Sequence, residues 1–143
     1  MKLLIADDEI LTRNGLVTSI DWKSLGIDQV FEASDGMEAY NTACTSKPDI
    51  ILSDIRMPRL SGIEFAEKIK EILPDTSLIF MSGYSDKEYL KAAIRLKAIT
   101  YVEKPLDLQE VKDSVQEAIN EHQTRLQTRS SMKLQSKETS SRL

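Results

Sequence analysis

Four stretches of the chain carry side chains suited to joint chemistry: Asp7-Asp8-Glu9, Asp54, Ser82-Gly83 and Lys104-Pro105. Each comes at or just past the end of a short apolar run. Taken singly, each has an ordinary reading: an acid pair is a turn or helix cap, Ser-Gly a loop, Lys-Pro a turn. What changes that reading is convergence. If the apolar runs are strands of one parallel sheet, all four stretches fall at its carboxyl edge, where ligands collect. Clustered carboxylates repel, by roughly 4 kcal/mol for unit charges about 4 Å apart at an effective dielectric of 20. They therefore call for a cation. Hard oxygen donors with no His or Cys nearby suit Mg²⁺, which takes carboxylates plus waters and leaves room for a phosphate. A carboxylate beside such a metal can attack phosphorus and form an aspartyl-phosphate. Charge neutralisation would be shared by Mg²⁺ and the Lys104 ammonium.

The elements that must position these groups follow from hydrophobic period. Strands are expected around Leu3–Ala6, Val30–Ala33, Asp49–Ser53, Leu78–Met81 and Ile99–Val102, apolar runs without alternation that suit burial on both faces. Between them, 3.6-residue periodicity predicts helices over 9–20, 35–46, 61–73, 85–96 and 107–122. The last places Leu108, Val111, Val115, Ala118 and Ile119 on one stripe. Ser61 with Glu64, and Ser85 with Glu88, have capping-box spacing, and Asp107 with Glu110 is a weaker version. Leu60 with Phe65, and Tyr84 with Tyr89, have hydrophobic-staple spacing around those caps. Pro48 and Pro74 close the second and third helices. Alternating strands and helices with short connections imply right-handed crossovers and a doubly wound α/β sheet with helices on both faces.

Composition agrees. Of 143 residues, 41% are hydrophobic and 29% charged, with 5 Gly and 4 Pro, a balance that excludes collagen-like and low-complexity chains. Cys44 is the only cysteine, so neither an intramolecular disulfide nor a cysteine-based metal site can form. Two acids after four apolar residues at the N-terminus do not make a signal peptide, and no apolar run is long enough to span a bilayer. A cytoplasmic protein is expected. The net charge of −4 is uneven: residues 123–143 hold five Lys/Arg and one acid, against 14 basic and 22 acidic residues in the other 122. An acidic body, net −8, argues against direct nucleic-acid binding. The polar, basic stretch 123–143 reads as a solvated tether or helical extension after a domain of residues 1–122.

The motifs then become specific. Leu4-Ile5-Ala6-Asp7-Asp8-Glu9, Asp49–Pro58 with Gly62, Met81-Ser82-Gly83-Tyr84 and Tyr101-Val102-Glu103-Lys104-Pro105 together resemble the receiver domain of two-component response regulators, over residues 1 to about 122. Asp21-Trp22 followed by Leu25-Gly26-Ile27, with Ser82-Gly83-Tyr84, further resembles receivers that precede AraC-type DNA-binding domains. The resemblance implies a five-stranded flavodoxin-like sheet of order 2-1-3-4-5. It implies Asp54 as phospho-acceptor for a histidine kinase. Asp7, Asp8 and Asp54, with the backbone carbonyl of Arg56, would hold Mg²⁺. Lys104 would contact the phosphoryl group and precede a cis peptide at Pro105. Ser82 and Tyr101 would form the switch, with Ser82 turning toward the phosphoryl group and the Tyr101 ring moving inward. The altered face, spanning the fourth helix, fifth strand and fifth helix, implies phosphorylation-dependent homodimerisation. Lys97 departs from the family, which usually has Gly there.

Rival functions follow from the same fold. A Mg²⁺-dependent phosphohydrolase would need a second acid two residues after the nucleophile, where this chain has Arg56. A flavodoxin-like nucleotide binder would need a Gly-rich cradle where this chain has Asp7-Asp8-Glu9. A stand-alone receiver in a phosphorelay remains as an alternative. The leading expectation is a signalling switch rather than a turnover enzyme, with no membrane partner, reaching DNA only through an effector domain outside these residues. Cys44 reads as a small packing residue, Trp22 as a loop anchor, and His122 as lacking a ligand partner.

Overall fold

In the computed structural model, which describes residues 1–83 and 100–141, the apolar runs lie in strands. These are β1 (Lys2–Ala6), β2 (Gln29–Ala33), β3 (Ile50–Asp54), β4 (Ser77–Ser82) and β5 (Thr100–Glu103). All pair in parallel, in the order β2-β1-β3-β4-β5. The helices are α1 (Ile10–Ser19), α2 (Gly36–Ser46), α3 (Gly62–Ile72) and a C-terminal helix (Leu108–Ser141). The helix expected over 85–96, the Ser85 cap, the Tyr84–Tyr89 pair and Lys97 lie outside the described residues.

Strand side chains alternate between two apolar layers, which is why the central strands read as unbroken hydrophobic runs. Leu4, Ile51, Leu78 and Phe80 pack with Ala39 and Ala43 of α2 and Phe65 and Ile69 of α3. Leu3, Ile5, Leu52 and Met81 pack in the other layer with Leu16 of α1 and Val111, Val115 and Ile119 of the C-terminal helix. Burial of each such side chain contributes about 1.5–3 kcal/mol. Trp22 is buried in that second layer and donates from Nε1 to the Leu16 carbonyl (3.1 Å), anchoring the chain after α1.

Local signals fix the helix starts. Ser61 caps α3 by accepting from the Glu64 N–H (3.2 Å), while its hydroxyl donates to the Glu64 carboxylate (3.2 Å), so the side chains close the box on each other. Asp35 caps α2, accepting from the Glu38 N–H (2.8 Å). Leu60 and Phe65 are both buried in the first layer.

Two expectations need correcting. Leu108 does not join the buried stripe; it is 41% exposed at the first residue of the helix, and burial begins at Val111. Cys44 is exposed, since Ala39 and Ala43 take the inward positions of α2. The C-terminal helix runs on past residue 122 to Ser141, the helical-extension alternative.

Candidate functional site

The register brings the strand ends to one edge. Ala6 pairs with Ser53, Asp54 with Met81, and Ser82 with Glu103, so the next residues of β1, β3, β4 and β5 leave the sheet together. The strand order reverses at β1 and β3, and there the two chains diverge to form a crevice.

Asp7 sits in that crevice fully buried. Its N–H still donates across to the Ala33 carbonyl of β2 (3.0 Å), and its Oδ1 accepts from the Glu9 N–H (2.9 Å). Its Oδ2 is buried with no hydrogen-bond partner. Asp54, the last residue of β3, is also buried. The Lys104 ammonium lies 3.1 Å from Asp54 Oδ2 and 3.9 Å from Asp7 Oδ2. Asp8 is exposed at the mouth, and the three carboxylates place one oxygen each within 4.8 Å of one another.

The electrostatics follow from this crowding. Burial raises the Asp7 carboxyl from 3.8 to about 6; the charges of Asp54 and Asp8 add to the rise, against the Glu9 N–H and Lys104. Burial likewise raises Asp54, opposed by Lys104 and by the backbone N–H groups of Arg56 and Ile55. Burial pulls Lys104 down, but Asp54, Asp7 and Glu9 outweigh it and leave the ammonium raised. Three carboxylates against one ammonium leave a formal excess of two negative charges, that of one divalent cation. An orphaned, buried carboxylate oxygen inside an all-oxygen cluster fits a hard ion such as Mg²⁺.

Arg56 follows β3 and, with Asp8, Ile55, Met57, Pro58 and Ser61, lines an open cleft of about 380 Å³ beside the acids. Ser82 is buried at the end of β4, its hydroxyl 3.4 Å from the Gly83 carbonyl, and its own carbonyl accepts from the Lys104 N–H (2.8 Å). The Lys104–Pro105 bond is cis. Tyr101 is 44% exposed and stands apart from both core layers.

Packing explains one residue of the motif and adds one from outside it. Gly62 donates to the Ile55 carbonyl (2.8 Å), and a Cβ there would lie 2.1 Å from the Asp54 carbonyl oxygen. The motif flagged Gly62, but only packing explains it. Arg13, on α1, donates from Nη1 to the Asp7 carbonyl (2.6 Å), a contact without any local sequence signal.

A parallel sheet of this order with an acid cluster and a lysine at its carboxyl edge defines a class of doubly wound α/β domains. The match to the response regulator receiver domain over residues 3–116 makes it definite: this chain belongs to that family. Among solved structures it is similar to a two component transcriptional regulator AraC from Clostridium phytofermentans ISDg, 51% identical, with a TM-score of 0.80 over 86% of this chain and 98% of that one. The REC domain of AraT, a response regulator from Geobacillus stearothermophilus, is 38% identical, with a TM-score of 0.78 over 85% of this chain and 97% of that one. Among curated relatives, the uncharacterized transcriptional regulatory protein YesN of Bacillus subtilis is 34% identical over 120 residues, 84% of this chain. The match spans 33% of the length of YesN.

Proposed function

We propose that this chain is the phosphoryl-accepting switch of a two-component transcriptional regulator, with Asp54 taking a phosphoryl group from a histidine kinase and passing the signal to a DNA-binding effector. The observation that carries this reading is the buried Asp54 carboxylate held 3.1 Å from Lys104 beside the orphaned Asp7 oxygen. Asp7 and Asp8, with Asp54 and the Arg56 carbonyl, would hold Mg²⁺. When bound, Mg²⁺ would neutralise charge on the phosphoryl oxygens. An Asp54 oxygen attacks phosphorus, the P–N bond to the kinase imidazole breaks, and its electron pair returns to the ring nitrogen. Lys104 balances the charge that spreads over the phosphoryl oxygens, and its ammonium needs no proton transfer to do so.

The new group adds about −1.5 to −2 charge and three strong acceptors at the end of β3. Ser82, buried at the end of the neighbouring strand, would turn its hydroxyl toward it, and the Tyr101 ring, 44% exposed, would move inward. The face carrying Tyr101 would then support homodimerisation. Residues 1–122 form the switch, and 123–143 lead toward the effector. The AraC-type class of effector is supported by the Asp21-Trp22 and Ser82-Gly83-Tyr84 features and by the likeness to the Clostridium regulator.

The test is phosphorylation by acetyl phosphate with Mg²⁺, read by intact mass. One phosphoryl increment is expected in the wild type, and none in Asp54→Ala or with a chelator present. An increment that persists in Asp54→Ala would sink the assignment.

A further inference from the structure

We propose that Arg13 is a positioning residue for the acid pair, fixing the Asp7-Asp8 turn so that its carboxylates meet a divalent cation in one geometry. This rests on the phosphoryl-acceptor reading above. Arg13 is a helical residue of α1, yet its guanidinium points away from the helix. Nη1 donates to the Asp7 carbonyl (2.6 Å), and Nε donates to Glu32 Oε1 on β2 (3.2 Å). Its side chain is only 13% exposed.

This placement makes little sense as helix stabilisation. A cation in the first turn opposes the positive end of the helix dipole. The first turn of α1 contains no acidic residue, and the N-cap Glu9 makes no side-chain capping bond. The contact makes sense as a brace. Asp7 is tied by its N–H to Ala33, by its carbonyl to Arg13 and by Oδ1 to the Glu9 N–H. The one polar atom left over is Oδ2, which lies 3.9 Å from Lys104. Arg13 therefore removes the remaining rotational freedom of a peptide whose side chain must stay in a crowded acid cluster.

The sign of its effect on cation binding depends on two opposing terms. A positive charge near the acids weakens cation affinity, whereas an ordered turn strengthens it. The Glu32 carboxylate, 3.2 Å from Nε, offsets the Arg13 charge at contact distance, so order wins. A lysine cannot reproduce the planar fork that reaches both acceptors.

Titration calorimetry with Mg²⁺ on the full chain, together with amide hydrogen exchange at Glu9, tests this. Arg13→Ala is expected to weaken Mg²⁺ binding about tenfold and to lower Glu9 amide protection by a similar factor, with Arg13→Lys intermediate in both. Glu32→Gln, which keeps the Arg13–Asp7 bond but exposes the acids to an unbalanced cation, should weaken Mg²⁺ binding while leaving Glu9 protection unchanged. Equal Mg²⁺ affinity in folded Arg13→Ala or Arg13→Lys and wild type overturns the proposal, as does tighter binding. A lowered melting temperature with unchanged Mg²⁺ affinity would reduce Arg13 to a structural residue. Absence of Mg²⁺ binding by the wild type would overturn the acceptor reading itself and this inference with it.

Discussion

Asp7 shows most directly how one residue carries the tension of the site. Its side chain is buried, two like charges crowd it, and one oxygen goes without a hydrogen bond. Its carboxyl is consequently raised from 3.8 to about 6. An acid with a higher folded than unfolded pKa takes up a proton on folding. The metal-free fold therefore gains stability from this group as pH falls through about 6 toward 3.8, and loses it as pH rises back through 6. Asp7→Asn should then stabilise the metal-free protein at pH 7, by about 2 kcal/mol, and have a smaller effect at pH 5. Thermal melts at both pH values check this; equal effects at pH 5 and pH 7 would remove Asp7 as the source. Mg²⁺ should narrow the difference, since it stabilises the ionised wild type and not the amide.

At the scale of elements, the surroundings of Asp54 are shaped by how closely α3 approaches β3. The chain turns after Asp54, and the first helical residue, Gly62, packs against the Asp54 backbone. A Cβ there would stand 2.1 Å from the Asp54 carbonyl oxygen and 3.0 Å from the Ile55 Cα, both backbone atoms that cannot swing aside. Gly36 makes the matching contact at the start of α2, where a Cβ would meet the Leu60 carbonyl oxygen at 1.8 Å. The loop between β3 and α3 is thus clamped between two helix starts. Gly62→Ala should destabilise the fold by about 2–4 kcal/mol and cut phosphoryl acceptance although every charged group remains. Chemical denaturation measures the first and acetyl phosphate labelling the second; an alanine variant as stable and as reactive as wild type would refute the close-approach account.

Across the whole molecule, the strands that end in Asp54 and Ser82 also hold the C-terminal helix at their opposite ends. Asp49, just before β3, lies 3.5 Å from His122 Nε2, and Ser77, at the start of β4, accepts from Arg125 (3.0 Å). The Asp49–His122 contact joins residues 73 positions apart in the chain. After Ile119 the described side chains of this helix are half-buried or exposed, so little apolar burial holds it. A helix without a packed face is marginal. Arg125→Ala should raise amide hydrogen exchange several-fold over residues 123–141 while leaving β1 and β3 protected. Unchanged exchange in that stretch would show that the contact does not hold the extension. Among the described residues, no helix is long and apolar enough to cross a membrane.

The sequence by itself determined the alternation of strands and helices, the doubly wound class and the identity of the acid, hydroxyl and lysine positions. It could do so because unbroken apolar runs report burial on both faces, and because strand ends in a parallel sheet fall at a common edge. The Leu3–Ala6 and Asp49–Ser53 runs, each followed by acids, were enough to locate Asp7 and Asp54. Tertiary structure alone decided the rest. Nothing local distinguishes Cys44 from a core residue, gives His122 a partner, or turns Arg13 back toward Asp7. Those outcomes depend on which helix face meets the sheet and on residues far apart in the chain. Hydrophobic period encodes burial, but a hydrogen bond between elements exists only once packing has brought donor and acceptor within about 3 Å.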